Sequence, residues 1–150
     1  MFAGVAAVVV GAAAWRAIAA HNAQPWFADV PSRSALLGTW RAEGDGGGQV
    51  EFAADGRFSA AGLPVGTSSG AGLTGTGRWS LDARGRSVTL RPDHPPPDPA
   101  PDRPDHPPPD PAPDPGLTVV RAAGHLRLCV PSDSPGVLCD VLLRPAEPPR

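Results

Sequence analysis

The 150-residue chain has no lysine and no tyrosine, and it has one isoleucine (Ile18), one asparagine (Asn22) and two cysteines. Its 13 basic side chains are all arginine, while glycine (18) and proline (21) are abundant. The missing residues have AT-rich codons and the abundant ones GC-rich codons. The arginine bias therefore reflects coding composition and is no evidence of phosphate binding. Aromatic residues are few, at 5%, and the basic residues are dispersed along the chain. With a formal net charge of −2, that argues against a nucleic-acid footprint. The charge is unevenly spread: residues 93–115 hold six Asp and one Arg, a balance of −5, and the remainder of the chain carries +3. No segment after residue 34 has helical periodicity.

What is present begins with an apolar run. Phe2 to Ala14 is unbroken, the length of a signal-peptide core, and residues 2–20 together approach the ~20 needed to cross a bilayer. Residues 1–20 are expected to form a hydrophobic helix, either a signal anchor or a signal peptide cleaved after Ala19 or Ala20. The anchor is favoured over secretion. The membrane is thus the first expected partner, and the extracytoplasmic side of the cell envelope the expected location. Basic residues before the run are missing, and no cysteine follows it, so a lipoprotein is excluded. Residues 21–34 read as a juxtamembrane arm broken by Pro25 and Pro31, with Trp26 and Phe27 suited to a membrane interface.

Residues 93–104 (DHPPPDPAPDRP) and 105–115 (DHPPPDPAPDP) form a tandem repeat with a period of 12. Such proline density forbids helix and sheet and favours polyproline II, so a disordered loop insertion is expected. That helix has three residues per turn, which puts Asp93 in phase with Asp105, Asp98 with Asp110, and Asp102 with Asp114. The readings are an acidic spacer, a ligand for proline-binding domains, or a tolerated replication slip in an exposed loop. His94 and His106 are too far apart in this conformation to share a metal ion.

Residues 35–92 and 116–144 remain for a folded core, with 145–150 as a tail. They read as eight short strands: 36–42, 49–54, 57–61, 76–82, 87–91, 117–122, 125–130 and 137–144. Val50 and Phe52 alternate with Gln49 and Glu51, and Trp79 and Leu81 with Arg78 and Ser80. Asp55-Gly56, Arg84-Gly85 and Gly124 supply turns. The expected fold is all-β, a small antiparallel eight-stranded meander closing into a barrel, because closure removes exposed edges. Trp40, Trp79, Phe52 and Phe58 are expected in its core.

Leu37-Gly38-Thr39-Trp40 resembles the Gly-x-Trp first-strand motif of the calycin superfamily, which includes lipocalins, fatty-acid-binding proteins and avidins. Residues 36–144 are similar to small exported actinobacterial proteins that join Gly-Thr-Trp, Asp-Gly-x-Phe, Gly-x-Trp and a late cysteine pair. The calycin resemblance implies a barrel in which Gly38 and Trp40 are structural, with Trp40 plugging one end beneath Arg144 or Arg127. Avidins hold biotin with groups that include a tyrosine, which this chain lacks, so biotin is not implied.

Cys129 and Cys139 flank a 131–136 loop, and a hairpin centred on Ser134 opposes them, so a disulfide is expected. Cys129 shares the polar face of its strand with Arg127, which calls for a bulge near the loop. Gly66-Thr67-Ser68-Ser69-Gly70 fits a hydrolase pattern, and residues 70–75 a dinucleotide pattern. Both lie in a Gly/Ser loop with no helix after it, so neither chemistry is expected. His125 sits at a turn as a solvated side chain. No catalytic residue, metal or cofactor is expected. The leading expectation is a non-catalytic, envelope-tethered module for a small ligand or peptide. The alternatives are a protein–protein or protease-inhibitor-like domain acting through 21–34, and a cell-wall spacer.

Overall fold

The structure, a computed structural model, describes residues 25–44, 47–65, 72–94 and 114–146. The expected N-terminal helix, residues 21–24 of the arm, the Gly66–Gly70 motif and residues 95–113 of the repeat lie outside them. Nine strands form one sheet: β1 (Trp26–Phe27), β2 (Gly38–Ala42), β3 (Gln49–Phe52), β4 (Arg57–Leu63), β5 (Leu73–Leu81), β6 (Ser87–Pro92), β7 (Gly116–Ala122), β8 (His125–Pro131) and β9 (Cys139–Pro145). Strands β2 to β9 are sequential antiparallel neighbours, and β9 returns to pair with β2. These eight close into a meander barrel. Among the described residues there is no α-helix, only a 3-10 turn at Arg33–Leu36.

The period-two pattern decides which side chains enter the barrel. In β3, Val50 and Phe52 are buried while Gln49 and Glu51 face out; in β6, Val88 and Leu90 are buried between more exposed neighbours. Trp40, Phe52, Phe58 and Trp79 are all core residues, 2–4% exposed. Phe52 and Trp79 meet with ring centroids 4.8 Å apart. Phe58 lies over its cross-strand partner Gly77, where a β-carbon would come within 2.6 Å of the ring and 2.3 Å of the Arg91 carbonyl. Large against small is how this narrow interior is filled.

The two barrel ends differ. The short turns 53–56, 82–86 and 123–124 share one end, and the longer connections 43–48, 64–72, 93–115 and 132–138 share the other. The arm closes the short-turn end. Strand β1 pairs with β7 on the same edge as β6, beyond the point where β6 stops, and Ala28 N–H donates to the Val119 carbonyl at 3.0 Å. Val30 then bonds the Gly85 carbonyl, and Ala28, Val30 and Leu36 are buried in the core. Burial of the Val30 and Leu36 side chains stabilises this closure by about 1.5–3 kcal/mol each. Residues 26–34, expected as a separate arm, are thus part of the barrel. So are Pro145 and Ala146, expected in the tail: the Ala146 N–H donates to the Thr39 carbonyl.

Cys129 and Cys139 are bonded, with Cα atoms 5.4 Å apart. They are not directly opposed. Cys129 pairs with Leu142, and Cys139 with Pro131, across a register shift between Val130 and Pro131. That irregularity is the bulge required to bring together two residues of opposite strand parity.

Candidate binding surface on the outer wall

The motif residues occupy the closed end. Gly38 opens β2 at φ +102°, and the Trp40 indole N–H donates to the Leu36 carbonyl at 2.8 Å. Neither arginine expected over Trp40 is there. Arg144 is paired with Arg41 across β9 and β2. Its side chain points outward because Trp40 and Arg41 lie on opposite faces of β2. Arg127 reaches across β9 to Glu43 at 2.8 Å. The arginine that caps an indole is Arg33, from the 3-10 turn, with its guanidinium carbon 4.4 Å from the Trp79 ring centroid. Trp79 in turn donates to the Ala53 carbonyl at 3.1 Å. A cation over an aromatic face at an exposed site contributes about 0.5–1 kcal/mol.

The interior is given to apolar side chains, with no buried polar or charged residue among the described residues, so the charged groups lie on the outer wall and at the barrel ends. Strand register places three arginines in one row on that wall. Arg57 on β4 is opposite Arg78 on β5, and Arg78 is opposite Arg91 on β6. Like charges directly opposite each other on a sheet are unfavourable for folding. The two outer members have acidic partners. Arg57 donates to Asp93 at 2.6 Å, spanning β5, and Asp93 also accepts from the Thr76 hydroxyl at 2.9 Å. Arg91 donates to Asp114 at 3.1 Å. No carboxylate among the described residues forms an ion pair with the central Arg78. Beside it is an open cavity of about 240 Å³ lined by Arg78, Trp79, Ser80, Thr89 and Arg91.

The electrostatics follow the contacts. The Thr76 hydroxyl, then the Arg57 guanidinium, hold the Asp93 carboxyl below its ordinary value. At the closed end the Arg86 guanidinium does the same for Asp29. Asp82 is lowered by the backbone N–H groups of Ser87 and Arg86 at its own turn.

Compared with protein-family models, curated proteins and solved structures, the chain matches none.

Cys129, Cys139, Gly38 and Trp40 thus hold the barrel together and do not converge on one site. His125 opens β8 and is exposed. The arginine row was not visible in the sequence. Its members stand 21 and 13 positions apart, and only knowledge of both strand registers aligns them. Asp93 and Asp114, expected within a disordered insertion, are tied into the wall. Asp93 N–H donates to the Thr76 carbonyl, and the Pro115 carbonyl accepts from Leu90 N–H.

Proposed function

We propose that the protein is a non-catalytic binding module of the extracytoplasmic envelope that recognises an acidic partner through its outer wall. The observation that carries this reading is the Arg57–Arg78–Arg91 row. A row of opposed cations weakens the sheet it sits on, and guanidinium forks are the side chains best shaped to grip carboxylates and phosphates. Packing of the barrel with its own side chains disfavours the earlier expectation of an enclosed small ligand. Incorporation of residues 26–36 into the closed end likewise disfavours a free inhibitory arm, because releasing it would expose Val30 and Leu36. The eight-stranded meander is in keeping with a calycin-like origin. Tethering through residues 1–20 is retained as part of the proposal. Trp26 and Phe27 are 43% and 59% exposed at the closed end, where a membrane interface suits them. An anchored barrel would then present its longer loops away from the bilayer.

The test uses the full chain and immobilised poly-L-glutamate. Wild type is expected to be retained in a salt-dependent manner, and Arg78→Gln, an exposed change, to weaken retention severalfold. Equal retention of wild type and the Arg57→Gln/Arg78→Gln/Arg91→Gln variant would overturn the reading. So would saturable uptake of cis-parinaric acid, which would return the binding site to the interior.

A further inference from the structure

Strand register builds a second row of arginines on the far side of the barrel. Arg41 on β2 is directly opposite Arg144 on β9, and both are exposed on the outer face. Leu128 is opposite Leu143, so continuing that register by one pair sets Arg127 of β8 beside Arg144. The row Arg41–Arg144–Arg127 has the same construction as Arg57–Arg78–Arg91. One outer member is tied to a carboxylate across the middle strand: Arg127 to Glu43 over β9, as Arg57 is to Asp93 over β5. The middle arginine, Arg144 in one row and Arg78 in the other, forms no ion pair with a carboxylate among the described residues, and neither does Arg41.

We propose that the Arg41–Arg144 pair is a second binding site for the same class of acidic chain, which makes the barrel bivalent. The proposal rests on the outer-wall reading for the chemistry of its partner and on the β2–β9 register for its place. Three observations carry it. The middle strands of the two rows, β5 and β9, are separated by β6, β7 and β8 in one direction round the closed ring and by β4, β3 and β2 in the other, so the rows face away from each other. Among the arginines carried by strands, only Arg121, paired with Trp26 at the closed end, stands outside the two rows. The walls between the rows carry no cation: β3 turns Gln49 and Glu51 outward, and β7 turns Thr118 and Val120 outward. A single acidic chain reaching from Arg78 to Arg144 would cross about four strand spacings, roughly 19 Å, without a cation of the outer wall under it. Two separate chains, one on each wall, meet the charge where it lies. Opposed arginines cost stability on both walls, and two linked sites return avidity for a polymeric partner.

The test uses the full chain and a column of immobilised poly-L-glutamate eluted with a salt gradient. Arg41→Gln/Arg144→Gln is expected to elute at clearly lower salt than wild type. Arg84→Gln/Arg121→Gln, which removes the same charge from exposed positions outside both rows, is expected to elute with wild type. Melting curves confirm that both variants fold. Elution of Arg41→Gln/Arg144→Gln with wild type overturns the proposal, and so does an equal shift in the two variants, because it would indicate net charge in place of a site. Wild type held on the matrix is also expected to capture soluble fluorescein-labelled poly-L-glutamate on its free wall. Arg41→Gln/Arg144→Gln, held by its remaining wall, should capture about fivefold less per bound barrel. Capture equal to wild type's overturns bivalence. Unchanged elution of Arg57→Gln/Arg78→Gln/Arg91→Gln, with a shift in Arg41→Gln/Arg144→Gln, would sink the first wall alone and support the second as the site.

Discussion

Single residues in this barrel matter most where backbone meets backbone. Gly85, at φ +71°, receives the arm: a β-carbon there would lie 2.2 Å from the Val30 carbonyl oxygen. Gly124 has a similar φ of +78° but open space around it. The two glycines separate conformational strain from steric contact. Gly124→Ala is expected to cost about 1–2 kcal/mol, the penalty for an L-residue in the left-handed region. Gly85→Ala bears the same strain and must also displace Val30, which is buried, so its cost is expected to reach about 3–4 kcal/mol. Guanidinium denaturation of both variants measures the difference. Equal midpoints would mean that the arm does not contribute to closure. Arg33 belongs to the same contact, because it lies between Gly56 and the Trp79 ring and so couples the 3-10 turn to the core aromatic pair.

At the scale of elements, the disulfide joins β8 to β9 across their only irregular stretch. It closes a loop with a sequence separation of 10, which in the chain-entropy description restricts the unfolded state by about 2.5–3 kcal/mol. Cys129→Ala/Cys139→Ala is expected to lose roughly that amount, read as a lower denaturation midpoint with a slope equal to or slightly steeper than wild type's, because the released unfolded chain exposes more surface. Alkylation of both cysteines in native, unreduced protein would contradict the bond itself. All eight barrel strands were legible from alternation and turn residues, because a half-buried strand imprints period two on its sequence. Three features were not. Strand β1 is two residues long and has no room to alternate. The bulge near the 131–136 loop was expected from the cysteines' opposite faces, but not the resulting register, which sets Cys129 against Leu142 and Cys139 against Pro131. The arginine row depends on register between strands far apart in the chain, and outward-facing arginines carry no periodic signal of their neighbours. Local pattern shows which way a side chain faces; it does not show what stands beside it.

Over the whole molecule, three carboxylates add polar ties to segments that apolar packing also holds. Asp29 holds the arm to Arg86 in the β5–β6 turn, Asp82 accepts the Arg86 and Ser87 N–H groups that shape that turn, and Asp93 straps β4 to β6. All three are depressed below the ordinary aspartate value of 3.8: by the Arg86 hydrogen bond for Asp29, by backbone donors for Asp82, and by Thr76 and then Arg57 for Asp93. A depressed folded-state pKa means that the unfolded chain takes up protons first as the solution is acidified. The stabilisation is therefore complete above the unfolded-state value and is lost as pH falls through it towards the folded-state values. The melting temperature is expected to be level from neutral pH down to about 5 and to fall below about 4. In Asp29→Asn/Asp82→Asn/Asp93→Asn the melting temperature should start lower at neutral pH, and its acid limb should be shallower, converging on wild type at the acid end. All three groups are solvent-exposed, so added salt should shrink the gap at neutral pH. Parallel acid limbs in the two proteins would show that the ties do not act through their charge. The same measurement bears on binding, because protonating Asp93 releases Arg57 and leaves the arginine row less neutralised. Retention on an anionic matrix that stays ionised, such as a sulfonate resin, should then increase over the pH range in which stability declines.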